Sequence, residues 1–210
     1  MRHITLLSAS ASIASSLAST AQAGIVDYGG SVVIADPPAN IQVGNWESAT
    51  EARIWLERQV VLPVDLSVDA VNTGTFVNGT ENIPGIVAAT TLVTSYMLRT
   101  DSVGSNETGY SGYVVFDEPI FAVSFLRATL NDTDDLVGRP GVTYNHNTNR
   151  GVDLPSPDPE FFSISADRLR VDFTFTTGGN TDDLRIITVP APASLAAVGL
   201  AGLVRVRRRR

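Results

Sequence analysis

Apolar and polar side chains alternate with period two along several runs of the chain, the mark of strands with one buried face. Residues 53–62 put Ile54, Leu56, Val60 and Leu62 in phase, and residues 91–99 put Leu92, Tyr96 and Leu98 on one side. Residues 110–116 and 120–127 are separated by Asp117, Glu118 and Pro119, a compact turn that predicts a hairpin. The run 168–176 alternates most regularly, with Leu169, Val171, Phe173 and Phe175 between Arg170, Asp172 and Thr174, and 183–188 adds Leu184 and Ile186. Loops are marked by Asn78-Gly79, by 138–141, by the rigid stretch 155–159 and by Gly178-Gly179-Asn180. No sustained helical period appears in the body; a helical turn is expected over 129–136, capped by Asn131 or Asp132. Short strands at this spacing predict an all-β fold, an antiparallel β-sandwich or jelly roll.

The ends follow a different pattern. Met1, Arg2 and His3 precede an uncharged stretch from Ile4 to Thr20, and Ala21-Gln22-Ala23 follows. That order predicts a signal peptide over 1–23, cleaved after Ala23 with Ala21 and Ala23 as the small residues read by signal peptidase. At the far end, 19 uncharged residues lie between Arg185 and Arg205. A helix of that length reaches roughly 28 Å, close to the thickness of a bilayer core. Pro190 and Pro192 break its first third, so the short transmembrane helix is expected over 193–204. Arg205, Arg207, Arg208, Arg209 and Arg210 form a basic stop that the positive-inside rule places in the cytoplasm, with the body outside. One body of ordinary domain size, 24–188, remains between the two ends.

Val189, Pro190, Ala191, Pro192 and Ala193, followed by a short helix rich in Ala, Leu and Gly and an arginine run, resemble the sorting tail of PEP-CTERM proteins. The resemblance implies a tail over 189–210 that an exosortase, a membrane protease-transpeptidase, recognises and removes. Ala191 stands where the namesake motif has Glu, as in VPAPA-type variants. An unprocessed tail anchor is the alternative, with Gly199 and Gly202 as a helix-packing face. The body is similar to a group of bacterial PEP-CTERM proteins whose middle domain has no assigned activity. The residues that carry this are 96–103, 111–120, 130–138, Arg150-Gly151, Ile164-Ser165, 169–175 and 182–188.

Charge and composition narrow the chemistry. All 22 carboxylates lie between Asp27 and Asp183; against the nine arginines of the body they leave it at −13, which disfavours nucleic acid and anionic lipid as partners. Cysteine is absent, so disulfides, thiolate metal sites and cysteine nucleophiles are excluded. Asn131, Asp132, Asp134 and Asp135 are the candidate metal ligands, a set of oxygens suited to calcium, though without the EF-hand spacing; the competing expectation is a solvated turn and helix cap. His146, the one histidine of the body, is expected in an exposed loop. Trp46, Trp55, Tyr96, Tyr110 and Tyr113 are candidates for stacking on sugars, with Trp55 among apolar residues that suggest the core. Motifs of serine hydrolases, zinc proteases and P-loops are absent, and the N-x-T triplets at Asn78, Asn106 and Asn131 are read as incidental. The sequence thus points to a non-enzymatic exported surface or matrix protein without a cofactor. A carbohydrate- or calcium-assisted adhesion module in contact with extracellular polysaccharide is the alternative, and a secreted hydrolase with paired carboxylates ranks behind both.

Overall fold

A computed structural model describes residues 24–77, 82–146, 150–152 and 160–190. The expected signal peptide, the residues 191–193 of the sorting motif, the transmembrane helix, the basic stop and the loops at Asn78-Gly79 and 155–159 lie outside the described residues. Among the described residues no helix is long and apolar enough to cross a membrane.

The strands are β1 (Ile25–Gly30), β2 (Val32–Ile34), β3 (Ala52–Val61), β4 (Leu66–Val68), β5 (Gly74–Phe76), β6 (Gly85–Val87), β7 (Leu92–Asp101), β8 (Thr108–Phe116), β9 (Ile120–Ser124), β10 (Phe161–Ile164), β11 (Arg170–Thr177) and β12 (Thr181–Thr188). One helix, α1 (Arg127–Val137), interrupts them. The order β1-β8-β11-β10-β5 makes one sheet, β2-β3-β7-β12-β9 the second, and β4-β6 a small third. All pairs are antiparallel except β2 with β3. The all-β expectation therefore holds.

The alternation explains the packing between the two large sheets. Val171, Phe173 and Phe175 of β11, Val114 and Phe116 of β8, Tyr96 and Leu98 of β7, and Leu184 and Ile186 of β12 all enter one core. At its heart Phe76 stacks on Phe162 with centroids 4.6 Å apart, and Phe125 meets Phe162 edge-on at 5.1 Å. Gly30 lets the chain pass from the first sheet to the second: its φ is +75°, and a Cβ there would stand 2.3 Å from the Ser111 carbonyl oxygen.

Two expectations about the strands need correction. Asp117-Glu118-Pro119 does not close a hairpin, because β8 pairs with β1 and β11 while β9 pairs with β12. The turn is a crossover between sheets, which keeps Phe116 and Ile120 in the same core across the gap instead of side by side in one sheet. The second concerns β3. Ile54 and Leu56 pack on the inter-sheet core, but Val60 and Leu62 belong to another cluster with Leu66, Val68, Val87, Val93 and Ile187. The cause is a register shift between Leu56 and Arg58, which leaves Glu57 as an extra residue and reverses the phase of everything after it.

Helix α1 covers the expected turn but starts and caps differently. Neither Asn131 nor Asp132 caps it; both sit inside the helix. Asp69, just beyond β4, accepts from the Phe125 and Leu126 backbone N–H groups at 2.7 and 2.8 Å and from Thr129 Oγ1 at 2.5 Å. A carboxylate just past β4 thus holds the stretch that leads into α1, through two backbone N–H groups before the helix and one side chain in its first turn. Asp69→Ala is expected to cost about 2–3 kcal/mol in urea unfolding, because two N–H groups lose their acceptor. Asp132→Ala, an exposed change on the same helix, should stay within about 0.5 kcal/mol.

Candidate functional site

In sheet β2-β3-β7-β12-β9 the central strands β7 and β12 are buried on both faces, and the outer face is where charge collects. Period-two geometry puts Glu57 of β3, Arg99 of β7 and Asp183 and Arg185 of β12 on that face, and the irregularity after Glu57 turns Arg58 to the same side. Helix α1 lays Asp134 over them, and the segment around Gly151 brings in Arg150. Three guanidinium groups and the carboxylates of Glu57, Asp101, Asp134 and Asp183 form one connected layer, all buried.

Arg185 is the hub. Its Nε and Nη2 donate to the two Glu57 oxygens at 2.7 and 2.9 Å, and Nη2 also donates to Asp134 Oδ1 at 2.7 Å. Nη1 donates to Thr133 Oγ1 at 2.6 Å and to the Leu130 carbonyl at 3.1 Å, so all five N–H groups have acceptors. Arg150 grips both Asp134 oxygens at 2.6 and 2.9 Å, Asp183 Oδ2 at 2.9 Å and Asn131 Oδ1 at 2.8 Å. Glu57 further accepts from Tyr144 Oη and Ser95 Oγ, each at 2.7 Å. Arg99 reaches Asp183 and Asp101 at 3.3 and 3.4 Å.

The electrostatics follow from these contacts. Burial would push the Asp134 carboxyl up, but the guanidinium groups of Arg150 and Arg185 outweigh it and hold the group below the usual carboxylate range. Burial, reinforced by the neighbouring Glu57 carboxylate, pushes the Tyr144 phenol well up. Asp101 goes the other way from Asp134: burial raises it and Arg99 only partly compensates. Asp134, depressed in the fold, contributes stability that is complete above the ordinary carboxylate value of about 3.9 and is lost as pH falls through its lower folded value. Asp101, raised in the fold, takes up its proton first and so offsets part of that loss on the way down. Melting of the wild type and of Asp134→Asn at pH 7, 5, 4 and 3 should show a large deficit for the variant that narrows below about pH 4, where the unfolded wild-type chain protonates this carboxylate while the folded state still keeps it ionised. A deficit constant across that range would contradict the assignment.

Beside the layer, α1 and the stretch from Gly138 to His146 enclose a cleft of about 440 Å3, lined in part by Gln42, Arg58, Asp134, Asp135, Tyr144 and His146. His146 Nε2 lies 2.8 Å from Asp134 Oδ2, although the His146 side chain is 59% exposed. Arg58 donates only to the Leu136 carbonyl, at 3.4 Å, and has no carboxylate partner among the described residues.

The structure separates the four candidate calcium ligands. Asp132 and Asp135 are exposed, Asn131 holds Arg150, and both Asp134 oxygens are engaged by arginine. Among the described residues no group of three or more His, Asp or Glu side chains is placed to hold a metal ion. His146 is exposed as expected, and its pairing with Asp134 was not foreseen. The aromatic candidates do not converge either. Trp55, Tyr96 and Tyr110 are buried, Trp46 leans on Trp55 at 5.4 Å, and Tyr113 lies on the outer face of the other sheet under the Arg170 guanidinium, 3.9 Å from its centroid. Glu57, Arg150 and Arg185 were missed altogether. A sequence signal did exist for one of them: Arg185 lies directly between Leu184 and Ile186, in a strand with no exposed position.

Compared with family models, with curated proteins and with solved structures, the chain matches none.

Proposed function

We propose that this chain is an exported, non-enzymatic surface or matrix protein, released from a transient C-terminal membrane hold by an exosortase-type enzyme. The observation that carries the reading is a coincidence of boundaries. Among the described residues the first strand begins at Ile25, two residues after the expected cleavage at Ala23, and the last ends at Thr188, the residue before the motif that starts at Val189. The expected processing limits thus lie beside the first and last of the described strands, which supports the reading. The character of the buried layer agrees with a scaffold role, since the carboxylates and guanidinium groups under α1 engage one another and bind α1 to the sheet.

Surface shaving tests this. Protease added to intact cells of the native host should degrade the protein, and deleting residues 1–23 should leave it protected in the cytoplasm. Equal protection with and without the leader would contradict export.

One observation favours a second reading, a saccharide-binding adhesion module. The cleft beside α1 presents donors and acceptors together in Arg58, Gln42, Asp135 and His146, the mixture a polyhydroxylated ligand requires. A glycan array with Arg58→Ala as control distinguishes it: signal lost in the variant supports binding in the cleft, and no signal from either protein sinks the reading.

A further inference from the structure

The turn that carries the chain from β8 to β9 also holds the residue just before β1. The Gly24 N–H donates to Asp117 Oδ1 at 2.7 Å, and the Asp117 N–H donates back to the Gly24 carbonyl at 3.1 Å. One residue on, Ile25 pairs with Phe116 and packs on the inter-sheet core, so the sheet itself sets where the Gly24 nitrogen stands. Asp117 and Glu118 are neighbours at this turn, and neither forms an ion pair among the described residues. Their charge is felt around them. Burial and then the Asp117 carboxylate raise the Glu118 carboxyl, and the Tyr96 phenol, raised by burial, is pushed further by both acids.

We propose that Asp117 is a binding site for the α-ammonium group that signal-peptide cleavage creates at Gly24, and that the resulting ion pair fastens β1 to the turn. This role rests on the proposed cleavage after Ala23 and adds what the new terminus does. In that step water adds across the Ala23–Gly24 bond. The Ala23 carbonyl carbon gains the oxygen and departs with the leader as a carboxylate, while the Gly24 nitrogen takes up the protons and becomes an ammonium. The amide is a neutral donor to Asp117; an ammonium on the same atom is a charged one, and such hydrogen bonds are roughly twice as strong. Only cleavage at this bond puts the charge on the atom that Asp117 already holds. The fastening acts on an edge strand, since β1 ends the order of its sheet with β8 as its neighbour there and carries an irregularity between Ile25 and Asp27.

The chain contains no lysine, so the Gly24 amine is the one primary amine of a chain that starts there. The test uses the full chain in detergent with a specific-protease site in place of residues 18–23, cut so that it begins at Gly24, and an amine-reactive succinimidyl ester at pH 7. A carboxylate beside the ammonium raises its pKa from the ordinary value of about 7.7–8.0 and leaves less of the reactive free amine. The folded wild type should label about threefold more slowly than folded Asp117→Asn and than its own unfolded chain in concentrated urea. Cutting should also raise the melting temperature by about 2 °C more in the wild type than in Asp117→Asn. Equal labelling of the folded and unfolded wild type, or of the two folded chains, overturns the ion pair, and equal gains on cutting overturn the fastening of β1; each leaves export standing. A native-host chain that begins at a residue other than Gly24 overturns the cleavage reading and the role of Asp117 with it.

Discussion

Arg185→Met is expected to destabilise the protein by about 3–5 kcal/mol, enough to leave little folded protein at 37 °C. The side chain is fully buried, and its removal strands the Glu57 carboxylate and part of Asp134 in an interior without water. Deleting one member of a buried pair costs far more than the pair contributes, because the desolvated partner keeps its charge and loses its compensation. The Glu57→Leu, Arg185→Met double variant should therefore recover much of the loss, with a coupling of more than about 2 kcal/mol in urea unfolding. Additive losses would mean that the two groups do not act as one unit.

Phe162→Ala should cost a similar amount, about 3–5 kcal/mol. Phe162 is fully buried between Phe76 and Phe125, and its loss opens a cavity that three short strands and a rigid ring pair cannot close. Phe161, its neighbour in β10, points to the opposite face and is only half-buried. Phe161→Ala should cost about 1 kcal/mol in the same assay. Comparable losses at the two positions would show that the register of β10 against β11 is wrong by one residue.

How far the sequence alone carried this picture depends on how each strand is covered. β11 was readable because one of its faces meets the core and the other is half-open, so Val171, Phe173 and Phe175 stand out against Arg170, Asp172 and Thr174. β12 was readable on its inner side through Leu184 and Ile186. Asp183 and Arg185 alternate with them on the other side, and α1 and the residues around Arg150 and Tyr144 cover that side. Period two locates a face; it does not say what lies over it. The irregularity at Glu57 was hidden for a related reason. An extra residue places Glu57 and Arg58 on the same side of β3, one in the charge layer and the other in the cleft, and no local residue pattern announces it. Asp69 and α1 illustrate long-range anchoring: the carboxylate lies 57 residues before the Leu126 N–H that it holds at the entrance to the helix. The short strands β2, β4, β5 and β6, each of three residues, carry too few alternating positions to register.

The first and last described strands lie beside the proposed processing limits, and export is the claim on which the functional account turns. Its most direct test is the N-terminal residue of the protein recovered from the envelope and medium of its native host. The account predicts a chain beginning at Gly24, one residue before β1. A chain that begins at Met1 and is found with the cytoplasmic fraction would contradict it.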